Sequence, residues 1–130
     1  MFMLKYALNP LKKKDTVKVY GRGLRISAKD SKILCSKISG KSLPKAKAFL
    51  ERLLEQKQSL DGKYYTKTSG EILDLLKSAE NNIEFKGLEA ERMIVSASAH
   101  QGFRFMRPRR FKMRRQQRKV ANVQLVLHQK

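Results

Sequence analysis

Nine of the twenty residues 101–120 are basic and none is acidic. Seven are arginines: Arg104, Arg107, Arg109, Arg110, Arg114, Arg115 and Arg118. Lys112 and Lys119 complete the set. A guanidinium is a planar fork of donors that meets two phosphate oxygens at once and stacks on flat rings, whereas a lysine offers a point charge. Phe103, Phe105, Met106, Phe111 and Met113 are spaced among these cations. Large apolar side chains at intervals suit packing on bases or lining a pocket better than a free solvated loop. The chemistry on offer is non-covalent recognition of a polyanion. Charge alone adds Lys12, Lys13, Lys14 and Arg22 to the candidate contacts.

Bond-making chemistry finds little support. His100 and His128 are the only histidines, and neither has a companion at metal-ligand spacing. Cys35 is the single cysteine, so no internal disulfide or structural zinc site can be built. A reducing compartment is the simplest setting, with Cys35 a small hydrophobe on a helix. Gly21-Arg-Gly23 lacks the third glycine of a dinucleotide-binding loop. Glu51 with Glu55, and Glu80 with Glu84, fall at i,i+4 on helix surfaces, the pattern of solvated faces. The expectation is a binding protein, not an enzyme, with no metal and no cofactor.

The elements that must position the cations follow from the distribution of charge. The chain has 130 residues, 30 basic and 11 acidic, for a formal charge of +19. That length fits one domain with a real core, and 41% hydrophobic content excludes a wholly disordered chain. No apolar run is long enough to cross a membrane, and Lys5 interrupts the apolar start, which argues against a signal peptide. Residues 1–29 carry +7, residues 30–91 carry +1 and residues 92–130 carry +11 with no acid at all. A nearly neutral middle can fold by itself, and the flanks are where a polyanion would be held.

The middle reads as three helices. Ser27-Ala-Lys-Asp30 has the form of a capping box, Ile33, Leu34 and Ile38 face inward, and Gly40 ends the first helix. Ser42 caps the second, with Pro44 in its first turn and Ala46, Phe49, Leu50, Leu53 and Leu54 on one face. Thr68-Ser-Gly-Glu71 caps the third, whose apolar face is Ile72, Leu73, Leu76, Ala79 and Ile83 and whose stop is Gly87. Tyr64 and Tyr65 precede it, placed either to stack on bases or to pack at the core edge.

The flanks read as strands. Residues 17–26 alternate around a glycine interruption that suggests a bulge, and residues 93–100 and 123–128 alternate with period two. Between the last two strands, residues 101–121 are far too long for an ordinary turn. They form either a disordered basic loop or a two-stranded ribbon. Ten residues per arm would reach roughly 30 Å, and such a ribbon is marginal in water, so an anionic partner would have to order it.

Three segments carry a resemblance. The first is Leu24-Arg-Ile-Ser27 with Lys29 and the helix ending at Ile38-Ser-Gly40-Lys41. The second is Ile72-Leu-Asp-Leu-Leu-Lys-Ser-Ala-Glu-Asn-Asn82 with Gly87-Leu88. The third runs from Gly102 through Arg107-Pro-Arg-Arg110 to a strand ending Gln124-Leu-Val-Leu127. Together they resemble the universal large-subunit ribosomal protein twenty-two family, the exit-tunnel hairpin protein, over residues 17–128. The short 59–67 link resembles bacterial members. Tyr6-Ala-Leu-Asn-Pro10 looks archaeal, and Val120-Ala-Asn122 departs from the bacterial pattern before the last strand, so a reduced archaeal member is implied.

The resemblance implies an α+β fold: three helices packed on a small three-stranded antiparallel sheet with a long protruding basic β-hairpin. Residues 1–16 would be a basic N-terminal extension and 17–130 a single domain, with the hairpin at about 100–121 and its turn near 109–114. The implied role is structural constituent of the large ribosomal subunit in the cytoplasm. The hairpin threads into large-subunit rRNA and its tip lines the nascent-peptide tunnel, beside neighbouring ribosomal proteins. Arg25 and Lys29 match RNA-facing positions of the family, and the nine ribbon cations would sit on phosphates. The alternative is a free RNA- or DNA-binding regulator, against which stands the lack of a basic recognition helix. A membrane-surface role would need a basic amphipathic helix, but the cations lie in strand-type segments.

Overall fold

The alternating and amphipathic stretches assemble into an α+β arrangement whose order follows the chain. The computed structural model describes residues 14–107, 111–113 and 115–129. Lys12, Lys13, Arg109, Arg110 and Arg114 lie outside the described residues. The elements are β1 (Thr16–Leu24), α1 (Ala28–Ile38), α2 (Leu43–Leu54), α3 (Thr66–Phe85), β2 (Met93–Gln101), β3 (Phe105–Met106), β4 (Gln117–Arg118) and β5 (Ala121–Gln129). Short 3-10 turns occupy Ala90–Arg92 and Phe111–Met113.

β5 lies between β1 and β2, antiparallel to both. Val17, Leu127 and Val95 form one cross-strand row, and Val19, Leu125 and Ala97 the next. These residues face the helices. The rows between them, Lys18–Val126–Ser96 and Tyr20–Gln124–Ser98, point to the other face by the two-residue period of a strand. The register of β1 against β5 breaks between Gly21 and Leu24, a bulge at the glycine interruption. Gly21 lets two leucines close over the strand: a Cβ there would meet Leu24 Cδ1 and Leu75 Cδ1 at 2.9 Å, and both side chains would have to shift.

The helices supply the other half of the core. Leu34, Ile38, Leu50, Leu53, Ile72, Leu76 and Ile83 have no exposed surface. Each such side chain contributes on the order of 1.5–3 kcal/mol before entropy costs. Cys35 is buried with them, while Ile33, expected inward, is only half-buried. The outer edge of β2 is covered by the α1–α2 link. Gly40 N–H donates to Val95 O (2.8 Å), Val95 N–H donates to Lys41 O (2.9 Å) and Ala97 N–H donates to Ser39 Oγ (3.1 Å). A strand edge satisfied in this way offers no template for another chain.

All three helix starts differ from the sequence expectation, and Ser42, at the N-cap of α2, makes no side-chain capping hydrogen bond. Ser27 does stand at the N-cap of α1, but its side chain makes no capping hydrogen bond, and Ser31 Oγ donates instead to Ser27 O (2.7 Å). α3 begins at Thr66, two residues before the proposed cap, behind Tyr65 in left-handed conformation (φ 46°). Thr68 and Ser69 lie in its first turn and are largely buried, and Thr68 does not stand at the N-cap.

The end of α3 fits the expected glycine stop. Leu88 N–H donates to Ile83 O (3.1 Å) and Gly87 N–H to Glu84 O (3.0 Å), the paired bonds of a Schellman motif, with Gly87 at φ +71°. A Cβ in that conformation costs roughly 1–2 kcal/mol. Gly87→Ala is therefore expected to lower the unfolding free energy by about that amount, measured by urea denaturation with an unchanged m-value.

Candidate nucleic-acid interface

The ladder between β2 and β5 ends at Gln101↔Ala121 and hands the chain into the arginine-rich segment. Gly102 N–H donates to Val120 O (3.0 Å). Pairing then resumes as Phe105↔Arg118 and Met106↔Gln117, followed by Arg107 N–H to Gln116 O at 3.0 Å. One arm has gained a residue relative to the other, so the ribbon is bulged at its root. The described pairing covers two residues on each arm, not the ten per arm expected of an uninterrupted hairpin, and residues 108–110 and 114 are outside the described set. Every residue from 103 to 119 whose burial is described is exposed. Phe103, Phe105, Met106 and Phe111 are 53%, 48%, 62% and 89% exposed, which is unusual enough for large apolar side chains to mark an interaction surface.

The bulge of β1 meets the root of the ribbon. The Arg22 guanidinium lies over the Phe103 ring, 4.9 Å from its centroid. Arg25 Nη1 donates to Lys119 O (3.0 Å). Asn122, at the start of β5, accepts the Gly23 N–H on Oδ1 (2.9 Å), and its amide nitrogen lies 3.1 Å from His100 Nε2. The His100 ring stacks on Tyr20 at 6.5 Å between centroids. Three strand ends are thereby tied together where the cations begin.

Arg22, Arg25, Arg104, Arg107, Lys112, Arg115, Arg118 and Lys119 are all exposed. Of these, Arg22, Arg25, Arg107 and Lys119 gather at the ribbon root through the contacts above and a shared cavity. Lys29 is exposed in the first turn of α1, and Lys14 is exposed just before β1, without a contact that joins either to the ribbon. The cavity also includes Lys67, which carries no signal in the sequence beyond its charge, because it reaches the ribbon only through the folding of α3. The two tyrosines divide between their alternatives: Tyr65 packs against the core, and Tyr64 is 40% exposed.

Among the described residues no cluster of three or more His, Cys, Asp or Glu could hold a metal, and no helix is long and apolar enough to cross a membrane. Burial pushes the Cys35 thiol up to about 12, leaving it protonated at neutral pH and a poor nucleophile.

The sequence profile of the family described as ribosomal protein L22p/L17e matches residues 19–127. The chain belongs to this family. It is 32% identical to the large ribosomal subunit protein uL22 of Methanococcus aeolicus, with 88% of this chain and 90% of that protein covered. It is 33% identical to the uL22 of Methanococcoides burtonii (84% and 85% covered) and 31% identical to that of Methanopyrus kandleri (75% and 76%). The alignment with the M. aeolicus protein runs over 137 positions, more than the 130 residues of this chain, so that relative carries residues this L22-family chain lacks. The three relatives named here are all archaeal.

Two outcomes are expected of this geometry. Asn122→Ala leaves the Gly23 N–H without its partner and should lower stability by about 1–3 kcal/mol, read from denaturant unfolding. Cys35 should resist a thiol reagent at pH 8 in the native protein and react stoichiometrically once denatured, measured by absorbance of the released chromophore.

Proposed function

We propose that this L22-family protein is a structural constituent of the large ribosomal subunit that binds large-subunit rRNA, and that it acts by binding and not by catalysis. The observation that carries the reading is the segment 103–119: free of acid, exposed at every residue whose burial is described, and rooted on two strands of the sheet. Arginines paired with exposed Phe and Met suit phosphate contact combined with stacking on bases. Within the particle the ribbon lines part of the nascent-peptide exit tunnel, its tip meets the nascent peptide, and the helical body lies against neighbouring ribosomal proteins. The location is the cytoplasmic ribosome. The RNA contacts are Lys12, Lys13, Lys14, Arg22, Arg25 and Lys29 together with the nine ribbon cations.

Charge favours this reading over a free regulator that reads sequence with a helix. Residues 30–91, which hold most of the helical structure, net +1, and so offer no basic recognition face. Contact with about eight phosphates would give a slope of log K against log salt near −6 on the single-strand coefficient.

The experiment is sedimentation of the tagged chain with large subunits after a high-salt wash. Retention is expected, and recovery only in free or DNA-bound fractions overturns the reading. Replacing residues 103–119 by Asn-Gly, a two-residue hairpin turn, should leave cooperative unfolding intact while weakening incorporation into the subunit at least tenfold. Loss of cooperative unfolding in that variant would mean that the ribbon is part of the core.

A further inference from the structure

Where the ribbon passes the body, a cavity of about 320 Å³ opens between the end of β1, the first turns of α1 and α3, and the arms of the ribbon. Four cations line it: Arg25, Lys67, Arg107 and Lys119. They come from four separate stretches of chain, so their convergence is a product of the fold. Asp30 is the one carboxylate in the lining, and among the described residues none of the four cations lies within 4.0 Å of a carboxylate. Arg25 is held by its bond to Lys119 O, which leaves the rest of its donor fork free to bind elsewhere. A concave site with three net positive charges, its one carboxylate paired with none of the four cations, calls for an anion.

We infer that this cavity seats a phosphate of the RNA backbone, clamped between the ribbon and the α3 end of the body, and that Lys67 is a contact residue of that seat. The inference rests on the rRNA-binding reading and deepens it. A phosphodiester suits the site better than a carboxylate: two arginine forks and two ammonium groups can surround a tetrahedral anion, and a backbone phosphate can be threaded along the ribbon while its neighbours meet Arg104 and Arg118. Thr68, whose first-turn position also lines the cavity, and the backbone N–H groups of α3 around it add donors without adding charge. An RNA strand held there would add to the contacts of Arg22 and Arg25 that set the ribbon against the body.

The test uses the full chain in two arms. In the first, inorganic phosphate is titrated at constant ionic strength and followed by amide NMR. Saturable shifts are expected at Asp30 and Thr68, lost in Lys67→Gln and retained in Lys77→Gln, and much weaker with acetate. Absence of those shifts, or equal shifts with acetate, overturns the phosphate seat. In the second arm, binding to a large-subunit rRNA fragment is measured against salt. Lys67→Gln should reduce the slope of log K against log salt by about 0.7–0.9, and Lys77→Gln, on the exposed side of α3, should not. An unchanged slope in Lys67→Gln, in a protein that still binds the RNA, also overturns it. If the wild-type chain binds no rRNA, the ribosomal reading fails separately, and the phosphate titration still decides the cavity.

Discussion

One strand holds the molecule in place. β5 pairs with β1 on one side and β2 on the other, and residues 121–127 along it are all buried. A one-residue slip of β5 would exchange Leu125 and Leu127 for Gln124 and Val126 on the core face, so its register is strongly specified. Because β2 and β5 are antiparallel neighbours joined only by the arginine-rich segment, that segment must leave and return at Gln101 and Ala121. The ribbon therefore starts from a fixed point, although its described residues pair over only two positions on each arm. The same strand contributes Asn122, which binds the bulge of β1 and brings Arg22 and Arg25 to the ribbon root. Position and charge of the interface both trace back to the pairing of a central apolar strand.

The separation of charge follows from what each part must do alone. In the body, acids and bases nearly balance, and ion pairs among the described residues include Lys47–Glu80, Lys57–Glu55 and Arg92–Glu89. The ribbon has no acid to pair with. Two unit charges 4 Å apart repel by about 1 kcal/mol even in bulk water, and a net protein hydrogen bond contributes about the same. The few ladder bonds of β3 and β4 are thus comparable to the repulsion among the cations they carry. An anion between two arginines reverses the sign of that term, turning mutual repulsion into a bridge. Exposed Phe and Met point the same way, since their burial requires a surface that the described residues do not supply.

How much of this was legible in the sequence depends on the range of the interaction involved. The apolar faces of the helices were, because Ile72, Leu73, Leu76, Ala79 and Ile83 repeat at the helical period and nothing else competes for them. So was the bulge of β1, since two glycines interrupt an otherwise regular alternation. The start of α3 was not: a Thr-Ser pair before a glutamate reads as a cap, yet the same small hydroxyl residues tolerate burial, and packing decided between these uses. The missing register residue in the ribbon was equally hidden, because alternation fades where both faces are polar. Lys67 was invisible as part of the interface, since only the tertiary path of α3 brings it to Arg107 and Lys119.

A basic tail on a neutral body could serve for loose attraction to any polyanion, but the arrangement at the root argues for something more demanding. Loose attraction is satisfied by charge anywhere, depends little on side-chain type and gains nothing from a rigid attachment. Here the cations are mostly arginines, aromatic rings are set among them, and Arg22 and Arg25 on the body are held against Phe103 and Lys119 at the point where the ribbon leaves. A partner must then match two surfaces at a fixed offset, the body on one side and the ribbon on the other. Diffuse counter-ions or a flat anionic sheet can meet only one of these at a time. A folded RNA, with phosphates on several sides of a cleft, can meet both, and the charge density that makes the ribbon uneasy in water is what makes its enclosure by such a partner favourable.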